Sequence, residues 1–173
     1  LLKRKKYNRA IIQLDDFIEK YPSLPSTPYA YYLRGVIAEE KSASVLDEII
    51  TDNAQRDVRR IRDAYDYFKK LIDKFPNSKY SKEAFNELNI LKNTLARHEF
   101  YVALYYTNIG SHIAAINRSK YIIENYPGSS IMADSLHLMA HNYDEINTYK
   151  LANDVRKVLL STYPDHSPSY TLD

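Results

Sequence analysis

Apolar positions along the chain recur at fixed distances before four prolines. Each of these prolines follows an aromatic residue, in the pairs Tyr21-Pro22, Phe75-Pro76, Tyr126-Pro127 and Tyr163-Pro164. The residue twelve positions before each proline is an alanine, namely Ala10, Ala64, Ala115 and Ala152. The fifth and fourth positions before each proline are bulky and apolar: Phe17, Ile18, Leu71, Ile72, Ile122, Ile123, Leu159 and Leu160.

This spacing predicts a helix in front of each of the four prolines. Alanine lets two helices approach closely, and residues seven and eight positions further on lie on the same helix face. Proline cannot continue a helix, and it disfavours the helical conformation at the residue before it. We therefore predict four helices that end at the aromatic–proline pairs.

A second helix is predicted inside the last repeat, from Pro127 to Pro164, which has a period of 37 residues. It covers Ile131 to Ile146, with an apolar stripe formed by Leu136, Met139, Ala140 and Tyr143. The equivalent upstream stripe is Phe100, Val102, Ala103 and Tyr106. Helix pairs that repeat every 34 or so residues with the pattern A-x3-F…P are typical of tetratricopeptide repeats.

We therefore predict an all-α fold, a tetratricopeptide-repeat solenoid of antiparallel helix pairs. Residues 1–173 are expected to form a single domain, with repeats that end near Pro22, Pro76, Pro127 and Pro164. The two upstream repeats are longer than the last and predict two insertions. One is polar, at about Ser42 to Arg56; the other is an extra or lengthened helix at about Ser81 to Leu95. A compact helical bundle is the alternative, but it would not repeat the same contact positions.

Composition excludes several classes of function. The chain has no cysteine, which excludes disulfides, cysteine zinc sites and thiol nucleophiles, and its three glycines form no phosphate-binding motif. The net charge of +2 is low for a nucleic-acid-binding protein, so no such partner is expected. The basic clusters Lys3 to Lys6 and Arg56 to Arg62 are interpreted mainly as solvated helix faces, with attraction to an acidic partner or to lipid headgroups as the alternative.

The two ends of the chain also carry expectations. The sequence opens with Leu1 and passes into an amphipathic pattern without a capping residue, which we interpret as a start inside a larger protein. The polar end, residues 166–173, is expected to fray.

Two histidines have the spacing of metal ligands, but we predict no metal site and no cofactor. His137 and His141 are four residues apart and share a helix face. Leu138 stands where the H-E-x-x-H motif has its glutamate, so the metalloprotease hypothesis fails. No arrangement of serine, histidine and carboxylate residues suggests a nucleophile, and we predict a protein that is not an enzyme.

Tyrosines are more informative about binding. The segment Tyr29 to Gly35 holds too many tyrosines for one buried stripe. We therefore predict that Tyr29, Tyr32 and Arg34 line a peptide-binding groove, because tyrosine is enriched at protein-binding surfaces. The alternative is that these rings pack against a helix upstream of this sequence.

Four stretches resemble the BamD family, the tetratricopeptide lipoproteins of the outer-membrane β-barrel assembly machinery. They are Tyr29 to Gly35, Lys70 to Tyr80, His98 to Tyr106 and Ala114 to Pro127. The resemblance covers nearly the whole chain and includes both irregular repeat lengths. It implies a non-enzymatic scaffold at the periplasmic face of the outer membrane. The N-terminal lipidated cysteine and at least one repeat of the family are absent from this sequence.

The resemblance also implies partners. The C-terminal repeats would hold the barrel-forming subunit BamA, beside other lipoproteins of the machinery, and the N-terminal repeats would receive unfolded outer-membrane proteins. Asn117 and Arg118 match the family position that contacts BamA. Ser119 and Arg156 are polar where Leu14 and Phe68 are apolar, and we interpret Ser119 as part of a polar docking face next to Arg118. The alternative function is a general tetratricopeptide peptide-binding adaptor in the periplasm or cytosol.

Overall fold

The computed structural model describes residues 2–43 and 52–172, and the side chains of residues 6–39 and 58–172. Seven helices and no strand are present in these residues, as the all-α prediction requires. The helices are α1 Leu2–Lys20, α2 Thr27–Ala43, α3 Asp52–Lys74, α4 Lys79–Asn108, α5 His112–Asn125, α6 Met132–Glu145 and α7 Tyr149–Thr162.

The aromatic–proline pairs end α1, α3, α5 and α7, as predicted. At each of these ends the aromatic residue still donates its backbone N–H to the carbonyl four residues earlier, at 2.7–2.9 Å. The proline that follows has no N–H to continue the series. The four aromatic donors are Tyr21, Phe75, Tyr126 and Tyr163.

The chain divides into two compact units, residues Leu1–Leu91 and Lys92–Asp173, which we call the N-terminal and C-terminal units. The N-terminal unit holds α1, α2, α3 and the first part of α4. The C-terminal unit holds the rest of α4 and α5 to α7. A single repeat domain over residues 1–173 stays a prediction.

In the N-terminal unit, α2 and α3 meet closely at a glycine. Ala64, Phe68 and Leu71 of α3 are fully buried. A Cβ atom on Gly35 of α2 would lie 2.4 Å from Cε1 of Phe68, so only glycine leaves room for this ring. The small residue and the aromatic ring therefore fix the packing of these two helices.

In the C-terminal unit, the predicted core of the last repeat is confirmed. The α6 stripe is buried throughout, at Leu136, Met139, Ala140 and Tyr143. Met139 and Tyr143 pack with Ile116 and Ala152 in one cluster. Leu136 packs with Leu159 in another. Leu160 departs from the pattern because it is 64% exposed, so the fourth position before Pro164 does not face the core.

The second insertion is a lengthened helix rather than an extra one. α4 has 30 residues, and Leu91 and Leu95 are buried along it. The first insertion, about Ser42 to Arg56, lies largely outside the described residues, as do the side chains of Lys3 to Lys5 and of Arg56 and Asp57.

The segment after α7 differs from expectation. Residues 166–170 do not project from the unit but lie against α4 and α6. Ser169 bonds to Asp134, and the ring of Tyr170 packs on Phe100 at a centroid distance of 5.2 Å. The expected fraying is therefore wrong for these residues, since side-chain contacts from other helices hold them.

Candidate partner-binding surface

The turn between α4 and α5 is tight and exposes apolar side chains. Gly110 has a φ of +74°, a conformation that glycine adopts without steric cost. Its N–H donates to the carbonyl of Thr107 at 2.9 Å, and the N–H of Ser111 donates to that of Tyr106 at 2.8 Å. These bonds close the end of α4 within a single turn of chain.

An open depression lies beside this turn. Its volume is about 500 Å³. Its lining residues are Gly110, Ser111, His112, Ile113, Ala114, Asn117 and Ile146. Ile113 is 66% exposed, and Ile109 next to the turn is also exposed. We refer to Ile109, Ile113, Asn117 and Arg118 as the α5 corner.

A buried amide orients the histidine at this depression. Asn142 of α6 donates from Nδ2 to the hydroxyl of Thr107 and to the carbonyl of Leu138, each at 2.8 Å. Its Oδ1 is 2.9 Å from Nδ1 of His112. Since Oδ1 accepts, Nδ1 of His112 carries the proton. The network joins α4, α5 and α6 behind the α5 corner.

Arg118 is bound within its own chain as well as being partly exposed. Its Nη1 donates to Oε2 of Glu99 at 2.8 Å, and the side chain of Arg118 is 45% exposed. Glutamate in place of Arg118 would therefore put a second carboxylate beside Glu99. Ser119 is fully buried, so the expected polar surface at this residue is wrong.

In the N-terminal unit, two of the predicted groove residues form an aromatic cluster with Tyr80. The ring of Tyr80 lies 4.9 Å from that of Tyr29 and 5.7 Å from that of Tyr32. Tyr29 is exposed and Tyr32 half-buried. Burial first, and then the charges of Glu83 and Glu87, raise the pKa of Tyr32. The cluster therefore offers aromatic surface with carboxylates close by.

Arg34, the third predicted groove residue, is placed differently. It is buried, with Nε 3.1 Å from Asp15 of α1 and Nη1 2.8 Å from Asp63 of α3. Its guanidinium lies 4.3 Å from the centroid of the Tyr67 ring. Burial and a hydrogen bond to Asp15 raise the pKa of Tyr67 to about 12. Arg34 thus joins three helices, and its role in a groove stays a prediction.

The two candidate metal-binding histidines have separate neighbours. His137 is 2.8 Å from the hydroxyl of Tyr170, and His141 is 4.0 Å from Glu145. Burial, followed by the nearby His166, lowers the pKa of His137. Within residues 2–43 and 52–172, no group of three or more histidine and carboxylate residues has the placement of a metal site.

Comparison with known proteins identifies the family. A family model described as "Outer membrane lipoprotein", named YfiO, matches residues 1–159. The chain belongs to this family. Its resemblance to the BamD family is confirmed by relatives named outer membrane protein assembly factor BamD. One, from Xylella fastidiosa strain 9a5c, is 33% identical over 165 residues, which cover 95% of this chain and 56% of the relative.

Two further relatives carry the same name. The protein from Neisseria meningitidis serogroup B is 34% identical, covering 91% of this chain and 59% of the relative. That from Haemophilus influenzae is 28% identical, covering 91% and 60%. The chain thus spans somewhat over half the length of these relatives. Their name is that of an assembly factor rather than of an enzyme, which agrees with the predicted non-enzymatic class. Among the described helices, none has the length and apolarity to cross a membrane.

Sequence reasoning missed Glu99, Asn142 and the segment after α7. Glu99 and Asn142 are polar residues in helices whose neighbouring positions are buried, at Phe100 and Tyr143. Their positions next to buried apolar residues could have indicated that they are buried too. A buried polar group needs a hydrogen-bond partner, so each would have been expected to have one. No local pattern indicated where the segment after α7 lies.

Proposed function

We propose that the chain acts as a non-enzymatic scaffold in the assembly of outer-membrane β-barrel proteins. Family membership and the names of the relatives support this role. In this proposal the protein works at the periplasmic face of the outer membrane, held by a lipid anchor outside this sequence. Its partners are BamA, other lipoproteins of the machinery and unfolded outer-membrane proteins.

The α5 corner is the proposed contact with BamA. The observation that supports it is the exposure of Ile113 and Ile109 around a depression that also includes Asn117. An apolar centre with a polar and charged edge is the usual composition of a protein interface. Arg118 follows Asn117 on α5, and its Nη1 donates a hydrogen bond to Glu99. A guanidinium has five N–H donors, so a carboxylate of BamA can bind beside Glu99.

The test compares two exposed apolar residues of the C-terminal unit. Ile113 and Leu160 are 66% and 64% exposed, so aspartate at either position opens no cavity in the core. We expect Ile113→Asp to weaken binding to the periplasmic domain of BamA by about tenfold or more, equivalent to ~1.4 kcal/mol, in isothermal titration calorimetry. Leu160→Asp should bind as the wild type does. Equal binding by both variants would remove the α5 corner from the interface.

The cluster of Tyr29, Tyr32 and Tyr80 is the proposed contact with unfolded segments. Its rings offer large apolar area with polar tips, which suits segments of varied sequence. Tyr29→Ala should reduce the binding of a denatured outer-membrane protein, whereas Tyr21→Ala, at another exposed tyrosine of the same unit, should not. Binding can be measured by microscale thermophoresis. Equal losses of affinity in Tyr29→Ala and Tyr21→Ala would contradict this site.

A further inference from the structure

Residues 166–170 lie across α4 and α6 without helical structure, and the chain bends at Ser169 and Tyr170. Pro168 contributes to this shape because it fixes its own φ and disfavours the helical conformation at Ser167. Ser167, Pro168 and Ser169 are exposed, while His166 and Tyr170 are half-buried. The segment is therefore held at specific side chains rather than enclosed along its length.

Asp134 is the first anchor of the segment. Its carboxylate accepts the backbone N–H of Ser169 at 3.0 Å and the Ser169 hydroxyl at 2.6 Å. Nε2 of His166 lies 3.1 Å from the same carboxylate, at ion-pair distance. Asp134 is buried, and a buried carboxylate is costly unless it is hydrogen-bonded. Both hydrogen bonds found for it in the described part of the chain come from Ser169.

Phe100 and His137 form the second anchor. The ring of Tyr170 meets that of Phe100 edge-on, at 5.2 Å between centroids, and that of His137 at 5.9 Å. The Tyr170 hydroxyl is 2.8 Å from Nδ1 of His137. Burial, with a smaller effect from Asp134, raises the pKa of Tyr170. Phe100 and His137 thus contact an aromatic side chain that ends in a hydroxyl group.

We propose that Phe100, Asp134 and His137 form a binding site for a non-helical peptide in which a hydroxyl residue precedes an aromatic residue. Ser169 and Tyr170 occupy this site in cis. The contacts use a backbone N–H, a hydroxyl and an aromatic ring, which any such peptide presents. None of these contacts is made by the residues that connect α7 to Ser169, so covalent attachment to α7 is not required for them. The site lies apart from the α5 corner, and the proposal does not rest on the function proposed above.

Occupation in cis has a measurable consequence. A tethered segment acts at an effective concentration on the order of millimolar, so it competes strongly with a peptide in solution. A peptide added in trans should bind weakly to the wild-type chain and more tightly when the tethered segment has lost its two anchoring side chains.

The experiment uses the full chain and a fluorescein-labelled peptide with the sequence of residues 166–173. The opened variant carries Ser169→Ala and Tyr170→Ala, and binding is followed by fluorescence polarisation. We expect the opened variant to bind the peptide about tenfold more tightly than the wild type, because the competing segment is weakened. Asp134→Asn in the opened variant should weaken binding about tenfold, because a carboxylate accepts stronger hydrogen bonds than an amide. Glu145→Gln, at an exposed carboxylate of α6, should have no effect.

A second peptide tests the aromatic contact without any further substitution in the protein. This peptide has alanine in place of the tyrosine equivalent to Tyr170. It should bind the opened variant about tenfold more weakly than the first peptide, because it lacks the ring that contacts Phe100 and His137. Circular dichroism confirms that each variant is helical. Equal binding of the two peptides to the opened variant, or an opened variant no better than the wild type, would overturn the proposal.

Discussion

Arg118 of α5 donates a hydrogen bond to Glu99 of α4 across 2.8 Å, and the side chain of Glu99 is 4% exposed. The pair therefore joins a residue at the surface to a carboxylate in the interior. Arg118 therefore neutralises Glu99 and is also a member of the proposed α5 corner. Substitutions of Arg118 should consequently change the stability of the C-terminal unit as well as the affinity for a partner.

Arg118→Glu should lower the free energy of unfolding. The substitution removes the cation beside Glu99 and brings a second carboxylate close to it. Breaking a buried pair costs about 3–5 kcal/mol, and the partial exposure of Arg118 reduces this to roughly 1–3 kcal/mol. Urea unfolding followed by circular dichroism measures the change. Adding Glu99→Gln should recover part of the loss, and a variant as stable as the wild type would contradict this role of the pair.

Gly35→Ala should destabilise the protein although alanine favours helices. The helix preference of alanine over glycine is worth about 1 kcal/mol. The added methyl group, however, would stand 2.4 Å from the buried Phe68 ring, and overpacking costs about 1–3 kcal/mol. We expect a lower melting temperature. Phe68→Leu should be less harmful in the Gly35→Ala background than alone. A raised melting temperature in Gly35→Ala would show that the ring moves aside freely.

Arg34→Met should destabilise the N-terminal unit through its two carboxylate partners. Asp15 and Asp63 would lose the cation between them and repel each other. Both aspartates are partly exposed, so we expect a loss of about 1–3 kcal/mol rather than the full cost of a buried pair. Arg59→Met, at an exposed cation of α3, is the control and should stay within about 0.5 kcal/mol of the wild type. Equal effects of the two variants in urea unfolding would rule out this role for Arg34.

Tyr67 should make the free energy of unfolding depend on pH between about 10 and 12. Its pKa rises from 10.0 to about 12 on folding, because burial and the bond to Asp15 disfavour the phenolate. A raised pKa gives stability that is complete below pH 10 and is lost as the pH rises toward 12. The stability advantage of the wild type over Tyr67→Phe should therefore shrink between pH 10 and 12. An advantage that stays constant over this range would argue against the shifted pKa.

The fold could be predicted because its signals are local. Ala64, Ala115 and Ala152 lie at one offset from a proline, and all three are fully buried. An alanine and a bulky residue on one face, with a proline at the end, are sufficient to define a helix and its packed side. Leu160 shows the limit of this argument, because the offset alone does not reveal which apolar positions receive a neighbour.

The candidate sites were harder to predict because their charges pair with residues far away in sequence. Arg34 was expected in a groove, yet Asp15 precedes it by 19 residues and Asp63 follows it by 29. Periodicity assigns Arg34 to a helix face but says nothing of the carboxylates opposite. Ser119 was expected at the surface on the basis of its polarity, and a side chain this small fits a core position equally well.

The order of helix packing has a consequence for the folding reaction. The packed pairs α1 with α2, α2 with α3, α5 with α6 and α6 with α7 each join helices that follow one another in the chain. Such contacts close short loops and form rapidly. The bonds from Tyr67 to Asp15 and from Ser169 to Asp134 close intervals of 52 and 35 residues. These bonds should therefore form after the helix pairs, and in native-state hydrogen exchange the segment after α7 should open before the helices beneath it.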